Sequence, residues 1–181
     1  MHDSKQQTFL KAYEACHDRF LRYCSTLAYG QMDVQDLVQD VLLSAYENFE
    51  KIEKKGQLIH YLIRAARNRS ISIWRKRRDL IELADLHHQR LVDQGVSPET
   101  ILDIELLYKM LKKLPVRQKD AVILFEISGF SIREIADIQQ STEGATKTRI
   151  SRGRARLAVL LEDKSTQQLS EVWGTLKSIS L

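Results

Sequence analysis

SIREIADIQQSTEGATKTRISRGRARL, residues 131–157, is the stretch whose reading decides the fold. Ser131 and Glu134 form the S-x-x-E pattern in which each side chain caps the other's backbone, so a helix starts at residue 132. QQST at 139–142 interrupts the pattern, and a basic helix then runs from about Glu143 to Leu161. Two short helices joined by a turn of three or four residues make a helix-turn-helix. In that motif the second helix enters the major groove with its N-terminal residues at the base edges. Those residues are Glu143, Lys147, Thr148, Ser151 and Arg152, whose donors and acceptors suit base readout. Arg149, Arg154 and Arg156 suit phosphate contacts, which add affinity without reading sequence. The plainer alternative is a solvated basic helix face.

Working outward, the chain has only seven Gly and two Pro in 181 residues, and helical spacing recurs along it. Pro115 opens a helix that ends near Gly129. SPE at 97–99 places Ser97 as an N-cap, Pro98 at the first helical position and Glu99 against the helix dipole. Residues 80–98 read as a linker, and the adjacent His87 and His88 point apart, with no carboxylate partner evident.

Before the linker, Val34, Leu37, Val38, Val41, Leu42, Ala45, Tyr46 and Phe49 follow the i, i+3, i+4, i+7 rule. Gly30 suits the stop of the preceding helix, read as continuous over 7–27, and Asp33 suits an N-cap. From Asp33 to Glu50 there are five acids and no base, so this helix has a core face and an acidic face. Asp36, Gln39, Asp40 and Leu43 form a row off the core face. Phosphates would be repelled there, so the face either meets water or, as acids beside an exposed leucine suggest, docks on a basic protein.

The next helix, from Leu58 to about Arg78, has seven basic residues and no acid between Arg64 and Arg78. Arg64, Arg67, Arg75 and Arg78 share an outward stripe, and Arg77 joins them as a candidate DNA contact. Tyr61, Asn68 and Trp74 could bind or stack on unpaired bases. The alternatives are a half-buried tryptophan and a solvated helix end. The net charge of only +4 hides this asymmetry: two cationic windows, 64–78 and 143–157, sit on an otherwise acidic body.

The expected fold is therefore all-α, with two small helical modules joined by a linker and a helix-turn-helix in the second. The divisions are 1–79, 80–98, 99–162 and a tail at 163–181. Leu169, Val172, Trp173 and Leu176 form an apolar stripe in the tail, which either packs on its own domain or serves as a docking or regulatory segment.

Several classes are disfavoured. Cys16 and Cys24, read on one helix, would sit roughly 12 Å apart, too far for a disulfide. No spacing suggests a metal site, and no phosphate-binding glycine loop or serine elbow is present. No apolar run approaches the ~18 residues of a membrane span, and MHDSKQQ lacks a signal-peptide core. A reduced, soluble, cytoplasmic protein is expected, with no membrane insertion, metal, cofactor or catalytic residue.

DVQDLVQDVLLSAYENF, YLIRAARNRSISIWRKRR, LPVRQKDAVILFEISGFSIREIADI and EGATKTRISRGRARL together resemble the extracytoplasmic-function group of bacterial sigma factors, over about residues 5 to 162. The resemblance implies a promoter-specificity subunit that makes and breaks no bond itself. It implies that Asp36, Gln39 and Asp40 bind the clamp helices of the largest subunit of core RNA polymerase. It implies that the third helix, with Asn68, and the loop EKIEKKGQ capture bases of the −10 promoter element as the duplex opens. Lys147, Thr148, Ser151 and Arg152 would read the −35 element, and the second module would touch the flap of the second-largest subunit. An inhibitory anti-sigma protein is a further partner the resemblance allows. The rival is an autonomous helix-turn-helix regulator that binds duplex DNA as a dimer, which leaves the acidic row without a role. Departures from the family pattern are Gln140 at the usual turn glycine, polar Gln139, Ser141 and Thr146 at usually apolar positions, and Ser72 at a common aspartate.

Overall fold

The structure is a computed structural model that describes residues 4–52, 57–76, 81–161 and 166–178, without the side chains of 74–76, 81–84 and 166–168. The described residues are helical, with no strand among them. They divide into two compact units, Met1–Ala84 and Asp85–Leu181.

In the first unit, the helix expected over 7–27 is two helices, α1 (Lys5–Glu14) and α2 (His17–Ala28). Ser4 and Gln7 cap α1 reciprocally, and the chain breaks at Cys16, φ −128°. The break aims two apolar stripes separately. Phe9 on α1 meets Tyr46 and Phe49 edge-on, with ring centroids 5.4 and 5.2 Å away. Phe20, Tyr23, Cys24 and Ala28 on α2 are almost fully buried in the core with α3 (Val34–Glu47) and α4 (Leu58–Lys76). Gly30 supplies the left-handed turn (φ +64°) after α2, and Asp33 caps α3 by accepting from the amides of Gln35 and Asp36. Both cysteines are free and buried, and burial pushes the Cys16 thiol up to about 11.

Part of the expected linker, residues 80–98, is a helix, α5 (Ile81–Asp93), which from Asp85 belongs to the second unit. Its Leu91 and His87 are buried. His88 points outward and does find a carboxylate: its Nδ1 lies 2.8 Å from Glu105 Oε1 on α6 (Pro98–Leu111). Ser97 caps α6 as its sequence predicts. Helix α7 (Val116–Val122) runs on into a π-helical turn, Ile123–Ile127, closed by the Ser128 amide on the Ile123 carbonyl. Gly129, at φ +73°, ends it.

The helix-turn-helix is α8 (Ile132–Gln139) and α9 (Glu143–Leu160), with the Ser131–Glu134 capping box in place. The tail forms α10 (Thr166–Ser178), which packs on α6 and the π-helical turn. Val172 and Leu176 are buried there, and Leu169 and Trp173 are half-buried, so the stripe serves its own domain.

Helices α7 and α9 approach closely at Gly153. A Cβ there would stand 2.6 Å from Val122 Cγ2, a stiff β-branched side chain that is itself fully buried. Gly153→Ala is therefore expected to destabilise the protein by about 1–3 kcal/mol, the usual range for overpacking. Urea denaturation followed by circular dichroism measures this, and Val122→Ala in the same chain should recover part of the loss.

Candidate nucleic-acid and docking interfaces

The recognition helix α9 divides its residues sharply. Thr146, Ile150, Gly153 and Leu157 are buried against α7 and α8. Glu143, Lys147, Thr148, Ser151 and Arg152 are all exposed. Their 3.6-residue spacing gathers them on the helix's outer side near its N-terminal half. Thr142 caps the helix by accepting from the Ala145 amide at 3.1 Å, which orders the end that a groove would receive.

The three arginines expected to hold phosphates are engaged within their own unit. Arg149 Nη1 donates to Gln139 Oε1 at 2.8 Å and to Ser141 Oγ at 2.9 Å. Arg154 pairs with Glu126 and stacks its guanidinium over Phe125, 5.2 Å from the ring centroid. Arg156 Nη1 donates to Gln118 Oε1 at 3.2 Å. Each reaches back to α7, the π-helical turn or the helix-turn-helix seam, so each braces α9. Arg154 and Arg156 remain exposed at the surface, whereas Arg149 is half-buried.

That seam is polar. Gln139 and Thr146 are buried, Thr146 completely. Gln139 Nε2 donates to the Arg117 carbonyl at 3.1 Å, and the Ser141 and Thr146 hydroxyls lie 3.0 Å apart. Buried polar groups are tolerated when hydrogen-bonded, and this network supplies the partners. Gln140 takes the left-handed conformation, φ 51° and ψ 56°, the sole non-glycine positive φ among the described residues. Its amide and that of Ser141 cap the end of α8 through the Ala136 and Asp137 carbonyls.

In the first unit, Asp36, Gln39, Asp40 and Leu43 are all exposed along α3, with Leu43 at 61%. Asp40 is not alone: Arg69 of α4 donates to its Oδ2 through Nε at 2.9 Å and Nη2 at 2.6 Å. The pair is half-exposed on both sides. On α4, Asn68 is exposed and Arg64 and Arg67 are half-buried. Arg64 Nε bonds back to the His60 carbonyl at 3.3 Å. Tyr61, expected near DNA bases, is part-exposed, and its hydroxyl lies 3.1 Å from Ser44 Oγ on α3, a contact that joins the two helices. The Trp74 and Arg75 side chains, Arg77, Arg78 and residues 53–56 of the EKIEKKGQ loop lie outside the described residues.

Sequence reasoning missed Arg69, Glu126 and Gln118. Their roles depend on which helix faces them across the core, which no local pattern reveals. Among the described residues, no helix is long and apolar enough to cross a membrane.

Comparison with known proteins gives a consistent result. The family described as Sigma-70 region 2 matches residues 5–79, and Sigma-70, region 4 matches residues 104–157. ECF RNA polymerase sigma factor EcfG of Rhodopseudomonas palustris (strain TIE-1) is 35% identical over 126 residues, covering 70% of each chain. ECF RNA polymerase sigma factor SigW of Bacillus subtilis (strain 168) is 26% identical over 87% of this chain and 91% of its own. Among solved structures, the sigma factor RpoE of Bartonella quintana, in complex with the anti-sigma factor NepR, superposes with a TM-score of 0.59. It is 27% identical, over 88% of this chain and 98% of that one. CnrH, in complex with the cytosolic domain of CnrY, shares the fold with a TM-score of 0.63 at 23% identity, over 88% of this chain and 91% of that one.

The left-handed backbone at Gln140 generates a prediction. A non-glycine residue there carries a steric cost of roughly 1–2 kcal/mol, partly offset by the greater freedom glycine gives the unfolded chain. Gln140→Gly should raise stability by up to about 1 kcal/mol without altering the exposed face of α9. Urea midpoints and promoter selectivity, compared with the parent chain, check both halves of that expectation.

Proposed function

This chain belongs to the extracytoplasmic-function sigma factors, and from that premise we propose how its surfaces divide the work of promoter recognition. As a sigma factor it directs RNA polymerase to promoters for transcription initiation; it is a polymerase subunit and not an enzyme.

In the proposed division, residues 1–79 form the module that holds core polymerase and the −10 element, and residues 99–162 form the −35 module. Asp36, Gln39, Asp40 and Leu43 dock on the clamp helices of the largest subunit. The observation that carries this assignment is the exposure of the whole row on α3, a leucine among acids, on a helix whose opposite face is core. Carboxylates steer a basic partner from a distance, and Leu43, at the end of the row, supplies apolar contact area once desolvated. Placed against DNA, the same row would be repelled.

Lys147, Thr148, Ser151 and Arg152, with Glu143, read the −35 element in the major groove. Asn68, Arg64 and Arg67 line the −10 surface, with Trp74 and the following arginines assigned there by sequence. Binding unpaired bases lowers the cost of strand opening, since stacking and hydrogen bonds replace those of the duplex. The second module also meets the flap of the second-largest subunit. The protein works in the cytoplasm, where the polymerase is. An anti-sigma partner is proposed by analogy with the RpoE–NepR pair.

Two sets of variants test the division. Asp36→Arg with Asp40→Arg should abolish co-purification with core polymerase while the circular dichroism spectrum stays unchanged. Lys147→Ala and Arg152→Ala should each keep polymerase binding but cost about 1–3 kcal/mol of promoter discrimination, read by in vitro transcription from cognate and −35-substituted templates. Tight, specific duplex binding by the isolated chain would favour the autonomous regulator instead.

A further inference from the structure

The clasp between Asp40 and Arg69 sits inside the docking row, and it poses a physical problem. A carboxylate already held by two N–H donors of an internal guanidinium offers less to a basic partner. Around it, α3 and α4 enclose a groove of about 370 Å³. Its lining combines the apolar Met32 and Ile73 with Asp33, Asp36 and the clasped pair Asp40 and Arg69. Such a lining suits a long basic side chain, whose aliphatic stem lies on apolar surface while its head reaches carboxylates. Arg69 does the second half of this from within the protein. Both of its donors go to the same oxygen, Oδ2, and the pair is half-exposed, so exchange for another cation needs no opening of the core.

We propose that Arg69 is a placeholder in the docking row: it holds Asp40 in the free protein, and binding proceeds by exchange of Arg69 for an arginine or lysine of the polymerase. Arg69 is then an internal competitor that lowers the affinity of the row for basic surfaces in general. A partner must present its cation with Leu43 and Asp36 engaged as well before the exchange is favourable. This rests on the assignment of the row to polymerase docking. The opposite arrangement, in which Arg69 is a brace that orients Asp40 for its partner, makes the opposite prediction.

The test is a double-mutant cycle on the full chain, with affinity for core polymerase measured in the absence of DNA. Arg69→Gln should tighten binding by about two- to fivefold, the worth of an exposed ion pair. Arg69→Met, which keeps the stem's bulk, should do the same. In an Asp40→Asn background the gain should vanish, because there is no clasp left to release. Weakened or unchanged binding by Arg69→Gln overturns the proposal. So does a gain that persists in the Asp40→Asn background, since that is a general charge effect. Asp36→Arg, outside the clasp, separates the two levels. If it abolishes binding while the cycle shows no coupling, the docking assignment stands and the placeholder fails. If it binds as the parent does, both fail.

Discussion

A charged side chain already engaged within its own protein must release or share that contact before it holds a nucleic acid or a partner. That constraint organises this molecule. Arg69, Arg149, Arg154 and Arg156 are each met by an oxygen of their own unit, on Asp40, Gln139 and Ser141, Glu126, and Gln118 respectively. Lys147 and Arg152 stand on the outer face of α9, clear of its buried side. Basic composition alone therefore does not distinguish charge already engaged within the fold from charge that is not.

The engaged arginines have a task of their own. The recognition helix meets α7 at a glycine, with Val122 filling the space a side chain would take. It meets α8 through a polar seam. Such contacts fix position more by directional hydrogen bonds than by apolar area. Arg149 joins the seam to α9 from within, while Arg154 and Arg156 tie the rest of the helix to the π-helical turn and to α7. Under the proposed reading of the −35 element, a helix that presents four or five side chains to base edges in register has to be held at several points along its length.

The sequence revealed the parts whose rules are local. The capping box at Ser131 and the N-caps at Ser97 and Asp33 stand as their spacing predicts, because a cap is a contact over two or three residues. The 3.6-residue period identified the core of α3 and the exposed row beside it. What local pattern could not show is long-range. The break at Cys16 depends on Phe9 finding Tyr46 and Phe49, more than thirty residues on. The helix at 81–93 lacks strong periodicity and rests on burial of Leu91 and the His88–Glu105 contact. The charge of Arg149, Arg154 and Arg156 is visible in sequence, but their partners Gln139 and Ser141, Glu126, and Gln118 are not, because they come from other turns and helices of the unit. Gln140 shows the reverse case: the turn demanded a left-handed residue, and the chain supplies it without glycine.

The measurement that bears most directly on this account is the salt dependence of promoter binding by polymerase carrying variant sigma chains. A cation brought into the DNA's ion atmosphere displaces counterions and so adds to the slope of log affinity against log salt, even where its donors face a base edge. Arg152→Ala should flatten that slope by up to about one unit, while Arg154→Ala should leave it unchanged and lower the stability of the chain. A slope flattened by Arg154→Ala and untouched by Arg152→Ala would contradict the division between internal braces and outward cations.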